Sequence, residues 1–368
     1  MQITAAVVRE KFARYELDTF ELDDPRADEI LVKVVASGIC QTDVHGRDGY
    51  FQIPYPAVFG HEGAGVVEAV GSGVTTLKPG DHVIMSFPWC GGCPSCRASR
   101  IAYCQDAGKL KQDGTRADGS TLLKQNGQPI YGSFFQQSSF STYTIANERY
   151  AIKVRPDAPI ALLGPLACGG QTGAGAVMNV MQPKPGDSIA VFGTGGVGLS
   201  GLMAARILGC DPIIAVDIRP ERLALAKELG ATHVINASDE KDVVGAIQKI
   251  TGGGANFTLE TSAVPAVFRM AEESTLQGGG TCVLVGSARK GTDVSFEMPH
   301  IQRGRIIRGV VQGESTPKSF IPKLIDHVMA GEMPIEKMIR RYAFADINQA
   351  VADAESGVTI KPVLDMPH

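Results

Sequence analysis

The second half of the chain alternates short apolar, β-branched runs with longer segments of helical period. Candidate strands fall at residues 189–192, 213–217, 233–236, 257–261, 281–286 and 306–311. Candidate helices lie between several of them, at 196–209, 221–230, 243–251 and 266–276. In the second of these helices Leu223, Leu225, Ala226 and Leu229 make an i, i+3, i+4 stripe, and Gly230 supplies the stop. Such alternation predicts an α/β architecture: a doubly wound parallel sheet with helices on both faces. The first half differs. Short β-rich runs at 30–36, 65–70 and 82–85 are separated by turn signals such as KPGD at 78–81, which predicts a compact, mainly β domain. The polar, glycine-rich stretch 106–129 lacks a period and is expected to be a long surface excursion. A helix at 319–330 and a β-rich run at 359–365 close the pattern.

Composition narrows the function classes. A chain of 368 residues suits two domains of roughly 150 each. Lys plus Arg is 35 against 39 Asp plus Glu, a net charge of −4 that lacks the basic excess of a nucleic-acid binder. No uninterrupted apolar run reaches the length of a membrane-spanning helix. The first residues, MQITAAVVR, carry no basic segment followed by an apolar one, so the expected location is the reducing cytoplasm. That changes the reading of the eight cysteines, because thiols there serve as metal ligands more than as disulfides.

Four cysteines, Cys90, Cys93, Cys96 and Cys104, follow the pattern C-x2-C-x2-C-x7-C inside a Gly/Pro/Ser-rich segment. Two-residue gaps let a tight turn present successive sulfurs to one centre, and the longer gap lets the chain return to close a tetrahedron. Four thiolates around Zn²⁺ leave no open position, which makes such a site structural. An iron–sulfur cluster is the rival, but the ferredoxin run closes with a three-residue gap and a proline, whereas Gln105 follows Cys104 here.

Three more candidates are weak singly: Cys40 in GICQTD (38–43), His61 in GHEG (60–63) and Cys168 in GPLACGG (164–170). Together they offer two thiolates and one imidazole, a ligand set that leaves a fourth zinc position open for chemistry. Spacing alone does not bring them together. Cys210 and Cys282 lie beside or within β-rich runs and read as packing residues. Further on, VFGTGGVG (191–198) contains Gly193, Gly195, Gly196 and Gly198 and matches G-x-G-x-x-G. The motif follows a candidate strand and opens a candidate helix, and Asp217 ends the next strand about 20 residues on, as a dinucleotide site requires. Asp217 suits the adenosine ribose hydroxyls. A 2′-phosphate there would meet repulsion on the order of 1–4 kcal/mol at 4 Å, so NAD is expected over NADP.

These ordered motifs, GICQTD, GHEG, the four-cysteine lobe, GPLACGGQTG, VFGTGGVG and the following acid, resemble those of the zinc-dependent alcohol dehydrogenases of the medium-chain dehydrogenase superfamily. The resemblance covers nearly the whole chain, and GPLACGGQTGAG is most similar to the bacterial aryl-alcohol (benzyl alcohol type) and allylic-alcohol enzymes. It implies a GroES-like catalytic domain at 1–169, with a zinc lobe at about 88–106. A Rossmann domain at 170–310 and a segment at 311–368 that completes the catalytic domain would follow. It also implies two zinc ions per chain, the catalytic one on Cys40, His61 and Cys168, and a homo-oligomer, dimer or tetramer. By position, Thr42 matches the hydroxyl that passes on the substrate proton and His45 the outer end of that relay. Asp43 matches the carboxylate that orients the zinc-bound histidine, and Glu62 the acid behind the metal. Thr172 and Val197 match residues beside the nicotinamide, and Arg222 and Lys361 match basic residues near the cofactor. His82, His233 and His300 match no functional position.

The implied reaction is reversible NAD-dependent oxidation of a primary alcohol, aromatic or allylic, to its aldehyde. An alkoxide donates hydride far better than a neutral alcohol. Zinc can bring the pKa of an oxygen from roughly 16 toward about 7, which is worth about 12 kcal/mol as an upper bound. Phe51, Phe87 and Trp89 are candidates for an apolar substrate wall. Glutathione-dependent formaldehyde dehydrogenase is an alternative, but the loop 46–59 (GRDGYFQIPYPAVF) offers Asp48 as its only acid for an anionic substrate. A noncatalytic nucleotide-binding protein on the same fold is the other, and polyol dehydrogenases usually lack the cysteine matching Cys168. Gln41 stands where many relatives carry His or Arg near the pyrophosphate. An amide gives up an ionic contact, so Gln41→Arg is expected to slow NADH release in stopped-flow measurements.

Overall fold

The computed structural model describes residues 1–367. The described residues fold into two compact units: 1–168 with 316–329 and 335–367, and 169–315 with 330–334.

In the first unit the strand Glu29–Gly38 is the axis of a seven-stranded sheet. Its residues are buried almost throughout, which is why EILVKVVASG reads as a nearly continuous apolar run. It pairs antiparallel with Glu62–Val70, Tyr143–Asn147 and Lys361–Asp365. The sheet continues through His82–Met85 to Ala151–Lys153 on one side and to Ile339–Ala343 on the other. A five-stranded sheet in the order Ala57–Val58, Gln2–Val8, Glu16–Leu22, Leu123–Gln125, Gln128–Ile130 belongs to the same unit. Phe20, Phe59, Phe134 and Phe140 are fully buried within its core. The register matters for function. Gly38 lies opposite Glu62 in one neighbouring strand and Val363 in the other, so Cys40, His61 and Lys361 leave their strands at one corner of the sheet.

The stretch expected as a surface excursion is ordered. It contains the helix Ala107–Gln112 and a hairpin, Leu123–Gln125 with Gln128–Ile130, that extends the five-stranded sheet. Strands of three residues are too short to show a period in sequence. Arg116, only 5% exposed, ties the segment down. Its Nε and Nη2 donate to the two oxygens of buried Glu29 at 2.7 and 3.0 Å, and its Nη1 donates to Asp23 at 3.0 Å.

The second unit is a six-stranded parallel sheet in the order His233–Asn236, Ile213–Asp217, Ile189–Phe192, Phe257–Glu260, Thr281–Leu284, Ile306–Gly309. Helices Gly196–Ile207, Pro220–Leu229, Val243–Thr251 and Pro265–Glu273 follow successive strands. The helix after Asp217 starts on a proline and ends at Gly230, whose φ is +123°. A further helix, absent from the sequence reading, runs Gly169–Gly175 and continues as Ala176–Met181. Its glycines are poor helix formers, but they let it pack closely on Gly196–Ile207, and packing overrides propensity. No single helix among the described residues is long and apolar enough to cross a membrane.

Arg116→Met should leave Glu29 buried without its cation. A loss of about 3–5 kcal/mol is expected, seen as a thermal midpoint lower by at least ~6 °C.

Candidate active site

Cys40 caps the short helix Gln41–Arg47, and Asp43 closes that cap: the Cys40 backbone N–H donates to Asp43 Oδ2 at 2.9 Å. The other oxygen of Asp43 accepts from the Gly60 N–H at 3.1 Å and pairs with His61 Nδ1 at 2.8 Å. One fully buried carboxylate therefore positions two of the three predicted ligands. With Nδ1 engaged, His61 turns Nε2 toward Cys168 Sγ, 3.2 Å away. Cys168 follows the turn Gly164–Ala167, whose last carbonyl accepts from Ser86 Oγ at 3.0 Å. The donor atoms of Cys40, His61, Glu62 and Cys168 all lie within 4.8 Å of one another. Phe134 and Phe135 flank the imidazole, at 5.8 and 4.5 Å between ring centres.

Behind this cluster Glu62 is fully buried and both its oxygens accept from Lys361 Nζ, at 2.9 and 3.0 Å. The ammonium also donates to the Ile39 carbonyl at 3.1 Å. Lys361, expected beside the cofactor, is thus engaged inside its own unit. Burial pushes Glu62 up to about 7 against the pull of Lys361. Burial disfavours charge on His61 too, but the Asp43 carboxylate outweighs it and raises the imidazole to about 10. The hydrogen bond between the two sulfurs holds Cys40 well below the usual thiol range and pushes Cys168 well above it.

These protons sit on the atoms a divalent cation would take, since metal binding needs thiolates and a neutral imidazole. Two thiolates and one imidazole fit zinc, with Glu62 held back by Lys361. The second set fits as well. The sulfurs of Cys90, Cys93, Cys96 and Cys104 lie within 4.8 Å of one another. Backbone N–H groups of Cys90, Gly92, Cys93, Cys96 and Gln105 donate to them at 3.3–3.5 Å. Those of Gln105 and Cys96 bring Cys93 down to about 6, while burial pushes Cys96 up to about 12.

Thr42 and His45 lie on the helix Gln41–Arg47, with Thr42 Oγ1 3.7 Å from Cys40 Sγ. The His45 ring stacks on Tyr50 at 4.2 Å and meets Phe51 edge-on at 6.4 Å. In the second unit Gly195 caps the helix Gly196–Ile207, which carries Val197 and Gly198. A Cβ at Gly198 would overlap the Gly193 carbonyl, whereas one at Gly195 would meet only open space. Asp217 accepts from the backbone and hydroxyl of Thr194, both at 2.7 Å, and from the N–H groups of Ile218 and Arg219. Arg222 has a buried Nε without a partner, an orphaned donor that suits a polar ligand. Thr172 Oγ1 lies 3.4 Å from Gln312 Oε1. The sequence reading missed Thr194, Phe134, Phe135 and the Glu62–Lys361 pair. For Thr194 a signal existed, a hydroxyl inside the glycine turn.

Residues 26–156 match the alcohol dehydrogenase GroES-like domain family, and residues 196–329 match the zinc-binding dehydrogenase family. Geraniol dehydrogenase of Castellaniella defragrans is 42% identical over 362 residues, covering 98% of this chain and 96% of that one. Among solved structures, benzyl alcohol dehydrogenase from Acinetobacter calcoaceticus aligns over the whole of both chains, with TM-score 0.95 and 43% identity. An alcohol dehydrogenase zinc-binding domain protein from Burkholderia ambifaria does so with TM-score 0.98 and 48% identity.

Lys361→Met should strand the Glu62 carboxylate and lower stability by about 3–5 kcal/mol. A lower urea midpoint is expected, partly restored when Glu62→Gln is added.

Proposed function

Because the chain belongs to the zinc-dependent medium-chain alcohol dehydrogenases, we propose that it oxidises primary alcohols with an aromatic or allylic skeleton to their aldehydes, reversibly, with NAD. One observation carries the reading: Cys40, His61 and Cys168 meet in a buried cluster whose imidazole is aimed by Asp43. The likeness to a geraniol dehydrogenase and a benzyl alcohol dehydrogenase supports the substrate class.

Cys40, His61 and Cys168 would hold one zinc ion, and the four-cysteine lobe would hold a second. When bound at the first set, zinc would supply Lewis acidity that favours the ionised form of a substrate hydroxyl. The rest is work for this chain's own groups. Asp43 keeps the proton of His61 on Nδ1, so that Nε2 stays available as a ligand. Lys361 neutralises Glu62 and holds it back from the open position. Thr42 and His45 are three residues apart on one helix and so share a face. Thr42 takes the substrate proton and His45 carries it outward, its ring held by Tyr50. Aromatic side chains around the imidazole exclude water and pack against a flat substrate.

For the cofactor, the helix start at Gly195 and Gly196 would receive the pyrophosphate. Asp217, already fixed by Thr194, would bind the adenosine ribose, and Arg222 would offer its orphaned donor nearby. Thr172 and Val197 would face the nicotinamide. The edge strand Ile306–Gly309 is exposed along its whole length, and with Met298 and Ile301 it supports assembly as a homo-oligomer. The cytoplasm is the compartment proposed.

Cys40→Ser and Cys168→Ser should each abolish turnover while NAD binding survives in calorimetry, with one of the two metal sites emptied in elemental analysis. Retained oxidation of benzyl or geranyl alcohol would overturn the assignment.

A further inference from the structure

Lys111 is a partly buried ammonium with no carboxylate partner. It lies on the helix Ala107–Gln112, just beyond Cys104. Its Nζ stands 5.3 Å from the centre of the Phe87 ring and 5.6 Å from that of Phe135. Phe135 lies 4.5 Å from the imidazole of His61, and Phe87 meets Trp89 edge-on at 6.0 Å. Other buried cations of this unit are paired with acids, Arg116 with Glu29 and Lys361 with Glu62. Among the described residues Lys111 has no acid within 4 Å. Burial lowers its pKa from the usual lysine range, and only the thiols of Cys168 and Cys104 pull it back.

Two ring faces cover an ammonium but do not satisfy its three N–H donors. An oxygen anion would, through charge-assisted hydrogen bonds that are shorter and stronger than neutral ones. Phe135 stands between the two, its ring 4.5 Å from the imidazole of His61 and 5.6 Å from the Lys111 ammonium, so a lone cation lies one ring's width from the candidate ligand cluster. We propose that Lys111 is a specificity-determining residue that selects alcohols whose aromatic or allylic skeleton carries a carboxylate at the end remote from the hydroxyl. The inference rests on the alcohol-oxidising reading of the Cys40–His61–Cys168 cluster and names its substrate class. A counter-ion for the four-cysteine lobe is the competing role. That lobe already has five backbone donors on its sulfurs, and Lys111 is influenced by the Cys168 thiol of the other cluster as well as by Cys104.

The test compares 4-carboxybenzyl with 4-methylbenzyl alcohol on the zinc-loaded enzyme. The ratio of their kcat/KM values should favour the carboxylate by at least about tenfold, the size of one charge-assisted hydrogen bond. Lys111→Met should bring the ratio to roughly one, and Lys111→Arg should keep most of it. Trp89, the sole tryptophan and a neighbour of Phe87, gives a readout independent of turnover. Titration of its fluorescence with 4-carboxybenzyl alcohol, without cofactor, should show binding weakened about tenfold in Lys111→Met. A wild-type ratio near or below one overturns the proposal. So does a Lys111→Met effect equal on both alcohols, as a counter-ion role requires. Oxidation of both alcohols without preference would sink this inference and leave the proposed function standing. A Lys111-dependent preference in binding with no oxidation of either would do the reverse.

Discussion

The Asp43 carboxylate is the constraint around which the first unit's site is built. It is fully buried, and it joins two pieces of chain through three groups: the Cys40 N–H on one, and the Gly60 N–H and the His61 ring on the other. A carboxylate removed from water is costly unless its lone pairs are met. Here they are met by two backbone N–H groups and the imidazole ring. The bond to His61 also decides a tautomer, and with it which ring nitrogen faces the sulfurs. Losing that bond would free the imidazole to rotate while leaving its partner desolvated. Cap, turn and ligand orientation are in this sense one interaction.

Charge balance extends the same logic outward. The cluster contains two thiols, an imidazole and two carboxylates, with one ammonium, Lys361, set against Glu62. Without a metal ion, the hydrogen bond between the sulfurs and burial push the Cys168 thiol up, and burial raises Glu62 toward neutrality. A divalent ion would resolve the conflict by replacing protons, so that metal binding and ionisation of the donors would be coupled. The four-cysteine lobe reaches the same end differently, with backbone N–H groups on its sulfurs in place of buried side-chain charges.

What could be read in advance follows the range of each interaction. The parallel sheet was legible because strands such as Ile189–Phe192 and Ile213–Asp217 are buried on both faces and read as short apolar runs. The cysteine lobe was legible because its four sulfurs come from one short stretch of chain, and the glycine turn because it adjoins a strand and a helix. Cys40, His61 and Cys168 were visible only as members of a family pattern, since nothing local makes them meet. The Glu62–Lys361 pair was invisible as a pair, its partners 299 residues apart. Arg116 and the helix Gly169–Gly175 were hidden for other reasons. The first looks like any polar residue in a loop, and the second is rich in the residue that least favours helices.

The glycines beside Cys40 and Cys168 make room for Glu62. A Cβ on Gly38 would overlap the Glu62 carboxylate, and one on Gly164 would overlap the Glu62 carbonyl. Neither glycine is needed for an unusual backbone angle; both make room. The motifs around Cys40 and Cys168 therefore encode more than a sulfur each. They encode the cavity in which a carboxylate and an ammonium stand behind the ligand set at hydrogen-bonding distance. A chain with the same three donors but larger residues at 38 and 164 would have to displace Glu62 or push the strands apart. Donor placement and close packing are thus coupled, which is why short glycine-flanked words in the sequence report on a site whose parts lie so far apart.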